Sequence, residues 1–538
     1  MSDNTQSAIE PALRIHDNPL LIAMTRRRLR SHQRIPAVVT DVLIGLCILL
    51  MAASSQDTES WKYAAGILYV GIAYLLFFRG SNQVATLVQA EMQSGILDFH
   101  RATPTTPWTD TFGYLFGLPS REYFSSGIAA LFLLVCVLGG GMNLLFFGLS
   151  LVSIVISAAL YHCLIMILAL SGAGQRAMRG AGLVIIALLG VGVNRAEADW
   201  LAILAYLTPW PMVDAVLSDT PKIVSGQLFG ISLPSFIYFL ILQIPLLLFF
   251  FHGAARKVRD PQAPVFSRFG GVAFFATGLF QFLGAFWDLL GKSAGELAPS
   301  LNENLRGGLD EVAPNLTPLV MGFYLSVVLV MGLFLLYSLT PTYLSRVRAL
   351  RRAAKMGKTT ADPWVEGASS WPMAFILATL ATAGLIVLIL SSGLPPTHDP
   401  LTSVMVIVSF FVSFSFVAGC VEYCHMTLKR NWKSGVAFVA FLSLILPWMM
   451  TGVGLSLFGK DSPVILLAQL SPLWGMASAG AHFVGMWQSD FSSDMETTLG
   501  MTLSSLIITG IVAGWFYYRA IEAAGLAVKR LPPAQATT

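Results

Sequence analysis

One short polar stretch, QAEMQSGILDFHRATP at residues 89–104, interrupts a strongly apolar chain. Within it Glu91, Gly95, Leu97, Asp98, Thr103 and Pro104 stand at close spacing. Gly95 and Pro104 bracket a brief amphipathic segment, and Pro104 with Pro107 bars the helix from continuing. The chemistry such a segment offers is mechanical: a stiff projection that can take force from a partner. A second set of polar residues, Asp41, His162, Glu422 and His425, falls in or beside apolar runs. An ionisable group costs about 2.5 kcal/mol or more at the bilayer centre, so each is a functional candidate by default. Glu422 and His425 share one helix face, and His162 and His425 closely follow Tyr161 and Tyr423. The bland alternative puts Glu422 and His425 at a membrane interface beside Lys429 and Arg430. These groups are too few to ligate a metal, and no metal site is expected.

Other chemistries are missing from the pattern. The nearest approach to a phosphate-binding loop is Gly291-Lys292-Ser293, but Phe286 stands where the leading glycine is required. No HExxH string occurs, and no nucleophile elbow follows a strand. The five cysteines, Cys47, Cys136, Cys163, Cys420 and Cys424, form no CxxC pair. No catalytic residue and no cofactor of the chain's own are therefore expected.

The elements that position these residues are membrane spans. Of 538 residues, 55% are hydrophobic and 12% charged, about half the charge of a soluble domain. Apolar runs predict an all-α polytopic protein of about twelve transmembrane helices, near 36–54, 63–79, 123–140, 143–171, 181–194, 227–251, 269–290, 316–339, 373–391, 401–425, 435–458 and 497–518. With the N-terminus placed in the cytoplasm, only Lys62, Arg195, Lys222, Lys292, Arg306 and Lys460 of the 33 Lys and Arg fall outside. That bias supports the span number and the orientation, with both termini cytoplasmic. The net charge of +4 is thus topological. The basic residues form no face interleaved with aromatics, so nucleic acid is not an expected partner. Residues 1–35 read as a cytoplasmic N-terminus, disordered to residue 17 and then an amphipathic interfacial helix. Its Arg26, Arg27, Arg28 and Arg30 would lie at lipid headgroups. Residues 80–121 read as a cytoplasmic segment, 292–315 as an extracytoplasmic loop and 531–538 as a tail.

The chain also repeats itself. Tyr161 precedes Leu207-Thr208-Pro209 at nearly the spacing by which Tyr423 precedes Leu470-Ser471-Pro472. The distance from Pro209 to Arg256 equals that from Pro472 to Arg519. Two six-span halves follow, the first over 36–262 and the second over 263–291 and 316–530. An even number of spans per half gives a parallel repeat about an axis along the membrane normal.

The stretch Glu91-x-x-x-Gly95-Ile96-Leu97-Asp98-Phe99, with Thr103-Pro104, resembles the loop of type-2 ABC exporter permeases. Ile96 replaces the family's usual Thr. The resemblance extends to the interfacial helix and to Leu207-Thr208-Pro209, and it covers residues 18–260 better than the second half. Residues 340–371 are basic and lack the motif. The resemblance implies a permease subunit of an ATP-driven exporter in a bacterial inner membrane, forming the translocation path for an unknown exported substrate. It implies a separate, dimeric ABC ATP-binding subunit that binds ATP and Mg and is coupled through Glu91, Gly95, Leu97, Asp98, Thr103 and Pro104. The alternatives are a twelve-span secondary transporter driven by an ion gradient, and a membrane assembly protein without transport.

Overall fold

The computed structural model describes residues 18–55, 57–102, 105–171, 205–218, 225–261, 263–287, 290, 317–340, 343–358, 361–391, 400–428, 435–436, 439 and 495–530. The chain divides into two compact units, Met1–Val265 and Phe266–Thr538. Among the described residues eight helices are long and apolar enough to cross a membrane. The described residues of both units are helical almost throughout. The expected span at 181–194, most of that at 435–458, the loop 292–315 and the second Leu-Ser-Pro lie outside the described residues.

The first unit begins with α1 (Pro19–Arg28), capped by Asn18, whose side chain accepts from the Leu20 and Leu21 amides at 3.1 and 3.0 Å. This cap satisfies amides that a helix start would otherwise leave bare. After an extended Arg30, α2 (Ser31–Ser54) follows. Then α3 (Thr58–Ala73) runs through a π-helical turn at Tyr74–Gly80 into α4 (Ser81–Ser94). The sequence placed the end of this span near residue 79. Instead the apolar helix continues unbroken over Thr58–Ser94, 37 residues, roughly 55 Å at 1.5 Å per residue. It exceeds the hydrocarbon core of about 30 Å, so one end must project. Gly95 stops it in the left-handed conformation, φ 76°, where a side chain is strained.

Two short helices, α5 (Ile96–Ala102) and α6 (Pro107–Gly117), lead to α7 (Ser120–Gly139) and α8 (Leu144–Leu170). Next come α9 (Trp210–Leu217), a hairpin of β1 (Ser225–Leu228) and β2 (Ile231–Pro234), and α10 (Ser235–Arg259). The hairpin corrects the span expected from 227. Ser225 pairs with Pro234 across a tight turn in which Phe229 and Gly230 both have positive φ, so the helix starts only at Ser235. The Tyr161 hydroxyl donates to the Leu207 carbonyl at 3.2 Å. That bond gives the first Tyr-to-Pro spacing a physical purpose: it ties α8 to the turn before α9.

The interfacial helix is not merely laid on a surface. Its Leu20 and Met24 are buried, and they enter notches on α6 where Gly113 and Gly117 lie four residues apart. A Cβ at Gly113 would stand 2.9 Å from Leu20 Cβ, and one at Gly117 2.9 Å from Met24 Cβ. Asn18 Nδ2 adds a bond to the Thr109 carbonyl at 2.7 Å.

The second unit holds α11 (Arg268–Phe286), α12 (Thr317–Leu339), α13 (Tyr343–Lys355), α14 (Trp371–Ser391), α15 (Pro400–Leu428) and α16 (Met495–Arg530). Leu50, Val70, Leu131 and Leu145 in the first unit, and Val330, Leu390 and Ile511 in the second, are more than 60% exposed. Such outward apolar faces suit lipid rather than water.

Gly113→Val should release α1 from α6, at a cost of about 1–3 kcal/mol for the overpacked contact. Trypsin cleavage after Arg26–Arg30 should accelerate in the variant while cleavage elsewhere stays at the wild-type rate. Unchanged cleavage would show that the glycine notch does not hold the helix.

Candidate functional site

The buried residues of α4, namely Ser81, Val84, Ala85, Val88 and Glu91, recur at three- and four-residue intervals. Glu91 therefore lies on the same stripe as the valines and cannot face solvent. It is 5% exposed. Its Oε2 accepts from the Tyr114 hydroxyl of α6 at 2.6 Å. Tyr114 is itself fully buried, and burial followed by the Glu91 hydrogen bond drives its pKa far above the ordinary tyrosine value. Tyr114 thus remains a donor throughout the accessible pH range. A charge-assisted bond of this length is among the stronger ones, and it fixes α6 against the end of the long helix.

A second buried carboxylate lies nearby in the sequence. Glu122, in the first turn of α7, is 1% exposed and stands 3.6 Å from Arg28 of α1 and 3.4 Å from Arg79 of the π turn. Neither of its oxygens has a hydrogen-bond partner among the described residues, so attraction between charges holds the cluster. Burial makes that attraction stronger than at a surface, and makes loss of either sign costly.

Beyond Gly95, Leu97 is buried while Ile96 is 42% and Phe99 69% exposed. Asp98 pairs with Arg101, and Arg101 Nε donates to the Val258 carbonyl of α10 at 2.6 Å. The Trp108 ring packs on Phe251 and His252 of the same helix, with centroids 5.1 and 5.5 Å apart. The α5–α6 segment is therefore clamped on α4 at one side and on α10 at the other, with an apolar tip outward. Thr103 and Pro104 lie outside the described residues. Arg26, Arg27 and Arg30 are exposed; Arg28 is partly buried.

Of the polar groups expected within the membrane, His162 and Glu422 have clear structural partners. His162 is fully buried, its Nε2 donating to the Leu76 carbonyl at 3.0 Å. Leu76 belongs to the π turn, where the shift in amide pairing leaves a carbonyl for another donor. With the proton on Nε2, Nδ1 accepts from Tyr123, 3.3 Å away.

In the second unit, Glu422 is 3% exposed. Arg346 of α13 approaches its Oε1 at 3.2 Å. Oε2 accepts from Ser369 Oγ at 2.8 Å, Ser370 Oγ at 3.1 Å and the Ser370 amide at 3.2 Å. Arg346 also reaches the Gly367 carbonyl. Arg268 donates to the carbonyls of Pro363 and Ser369, at 2.5 and 2.8 Å, and to that of Ala368. The turn 361–370 is thus wound around two guanidiniums. His425, one turn beyond Glu422, is buried as well; Lys429 and Arg430 lie outside the described residues. Asp41 is partly buried in α2. No group of three or more His, Cys, Asp or Glu among the described residues could hold a metal.

Sequence reasoning missed Tyr114, Glu122, Arg79, Arg268 and the Ser369–Ser370 pair. Glu91's place on the Val84–Val88 stripe was a readable signal. The Tyr114 contact, 23 residues away, was not. Compared with known proteins, the chain matches no family model, no curated sequence and no solved structure.

Tyr114→Phe should destabilise the first unit by about 1–3 kcal/mol, since it strands a buried carboxylate. The check is thermal unfolding in detergent, with Tyr114→Phe/Glu91→Met recovering most of the loss. For the second unit, Glu422→Leu or Arg346→Met alone should each cost about 3–5 kcal/mol, and the pair together less than either. Additive losses would deny that the two charges compensate each other.

Proposed function

We propose that the chain is the permease subunit of an ATP-driven exporter, coupled to a separate dimeric ATP-binding subunit through the segment around Gly95. The observation that carries this reading is the continuous 37-residue helix Thr58–Ser94, closed by a left-handed glycine and followed by an apolar tip of Ile96 and Phe99. A subunit without a nucleotide site must receive work through a contact that differs between its states. A long helix that spans and then projects can carry such work from the span to the tip. The Glu91–Tyr114 bond and the Arg101 bond to α10 stop the tip from yielding locally. Twelve spans in two parallel six-span halves, cytoplasmic termini and a bacterial inner membrane complete the proposal. The second half is assigned no coupling role, because its 340–371 segment lacks the Glu-x-x-x-Gly motif and, although α13 also ends at a left-handed glycine, Gly357, the turn that follows is bound by Arg268 and Arg346.

The side-chain environments choose the probes. Glu91→Ala would confound coupling with folding, because Glu91 is buried. Phe99→Ala and Ile96→Ala leave the core intact, because both side chains are exposed. Each should leave the amount of folded protein unchanged. Together they should reduce co-purification of the ATP-binding subunit and substrate-stimulated ATP hydrolysis by about tenfold or more, the effect of losing one good apolar anchor. Export that ignores the double substitution and ATP depletion but collapses with an ionophore would replace the proposal by an ion-driven transporter. Export absent under every condition would favour an assembly role.

Orientation has its own test. Ser369 is engaged with Glu422, so Met356, 66% exposed, is the better labelling position. In a cysteine-free background Met356→Cys should react with a membrane-impermeant maleimide only after the membrane is opened. Labelling of intact cells would reverse the topology.

A further inference from the structure

In the first unit a cavity of about 250 Å³ lies between α1 and α4, lined by Met24, Arg27, Arg28, Arg30, Leu87, Glu91 and Leu118. We propose that this cavity binds a phosphate group. The site is independent of the exporter reading, since it follows from the lining alone.

Three guanidiniums and one carboxylate line it, and that carboxylate already accepts from Tyr114. Arg28 is also paired with Glu122 at 3.6 Å, so the cationic excess rests on Arg27 and Arg30. The field in the cavity is therefore cationic. The Nε of Arg28 is buried and has no hydrogen-bond partner among the described residues. That Nε–H, beside the exposed Arg27 and Arg30, gains from an oxyanion, and the planar guanidinium fork matches phosphate geometry. The remaining lining residues, Met24, Leu87 and Leu118, are apolar, so the cavity combines charged and apolar walls. Its volume holds a phosphate with a small substituent. Its place also fits a membrane source: Arg30 lies only a few residues before Ile35, where the apolar window of α2 begins. The same chemistry would accept a free phosphate from solution. Because Glu91 lies in the wall and anchors α6, occupancy would stiffen the junction of α1, α4 and α6.

The test uses the intact chain in detergent. In one arm, native mass spectrometry measures retained phosphatidylglycerol in competition with phosphatidylcholine. In the other, calorimetry titrates inorganic phosphate into lipid-free protein. Arg27→Gln/Arg30→Gln should weaken binding about thirtyfold, at roughly 1 kcal/mol per arginine. Leu87→Trp, which fills the cavity without changing charge, should also abolish it. Arg26→Gln removes a like charge from the same helix outside the cavity and should change it little. Variant-sensitive binding in the lipid arm alone assigns a headgroup; in the phosphate arm alone, a free anion. Equal losses in Arg26→Gln and Arg30→Gln single variants would reduce the effect to a general surface field and overturn the site. Binding insensitive to Leu87→Trp, or to the double substitution in both arms, would overturn it as well.

Discussion

The bond from Tyr114 to Glu91, 2.6 Å long and buried, is the constraint around which the first unit's polar cap is arranged. An ionised carboxylate on the apolar stripe of a helix is tolerable only if something supplies a donor and positive charge. Tyr114 supplies the donor, which fixes α6. The helix α6 then presents Gly113 and Gly117 to α1, and α1 brings Arg27, Arg28 and Arg30 to the cavity beside the carboxylate. Each element is positioned by the need of the one before it. The tip at Ile96–Phe99 projects because everything behind it is pinned.

The second unit meets a similar demand by different means. Its buried carboxylate, Glu422, sits, like Glu91, on a long helix of its unit. Its partners come from α13 and from the turn 361–370, which spends backbone carbonyls on Arg268 and Arg346. A turn bound at so many points is held in place. Within each unit, arginines from polar segments enter the protein to neutralise a carboxylate, and what is left outside differs: an apolar hook in one, a closed turn in the other.

Much of the helical plan was legible because apolar runs of about twenty residues have few alternatives. The cap at Asn18 and the stop at Gly95 were also readable in residue types. The helix through residues 80–94 was not, because Arg79, Asn82, Gln83 and Gln89 lower its hydropathy while its other face stays buried. The hairpin at 225–234 was hidden by Leu228, Phe229 and Ile231, which prolong an apolar run. At the candidate site, Glu91 was singled out for its spacing to Gly95, yet its burial follows from Val84 and Val88, one and two turns back. The pairings of Glu122 and Glu422 depend on which helices meet, and local sequence does not carry that.

The central claim is that the segment after Gly95 is the surface through which the chain receives work. Hydrogen exchange across residues 81–102, in the chain alone and bound to the proposed ATP-binding subunit, tests this most directly. The account predicts slow exchange over 81–94 in both states, because that helix is rigid on its own, and new protection confined to 96–102 on binding. Protection that appears elsewhere while 96–102 exchanges at one rate in both states would contradict it.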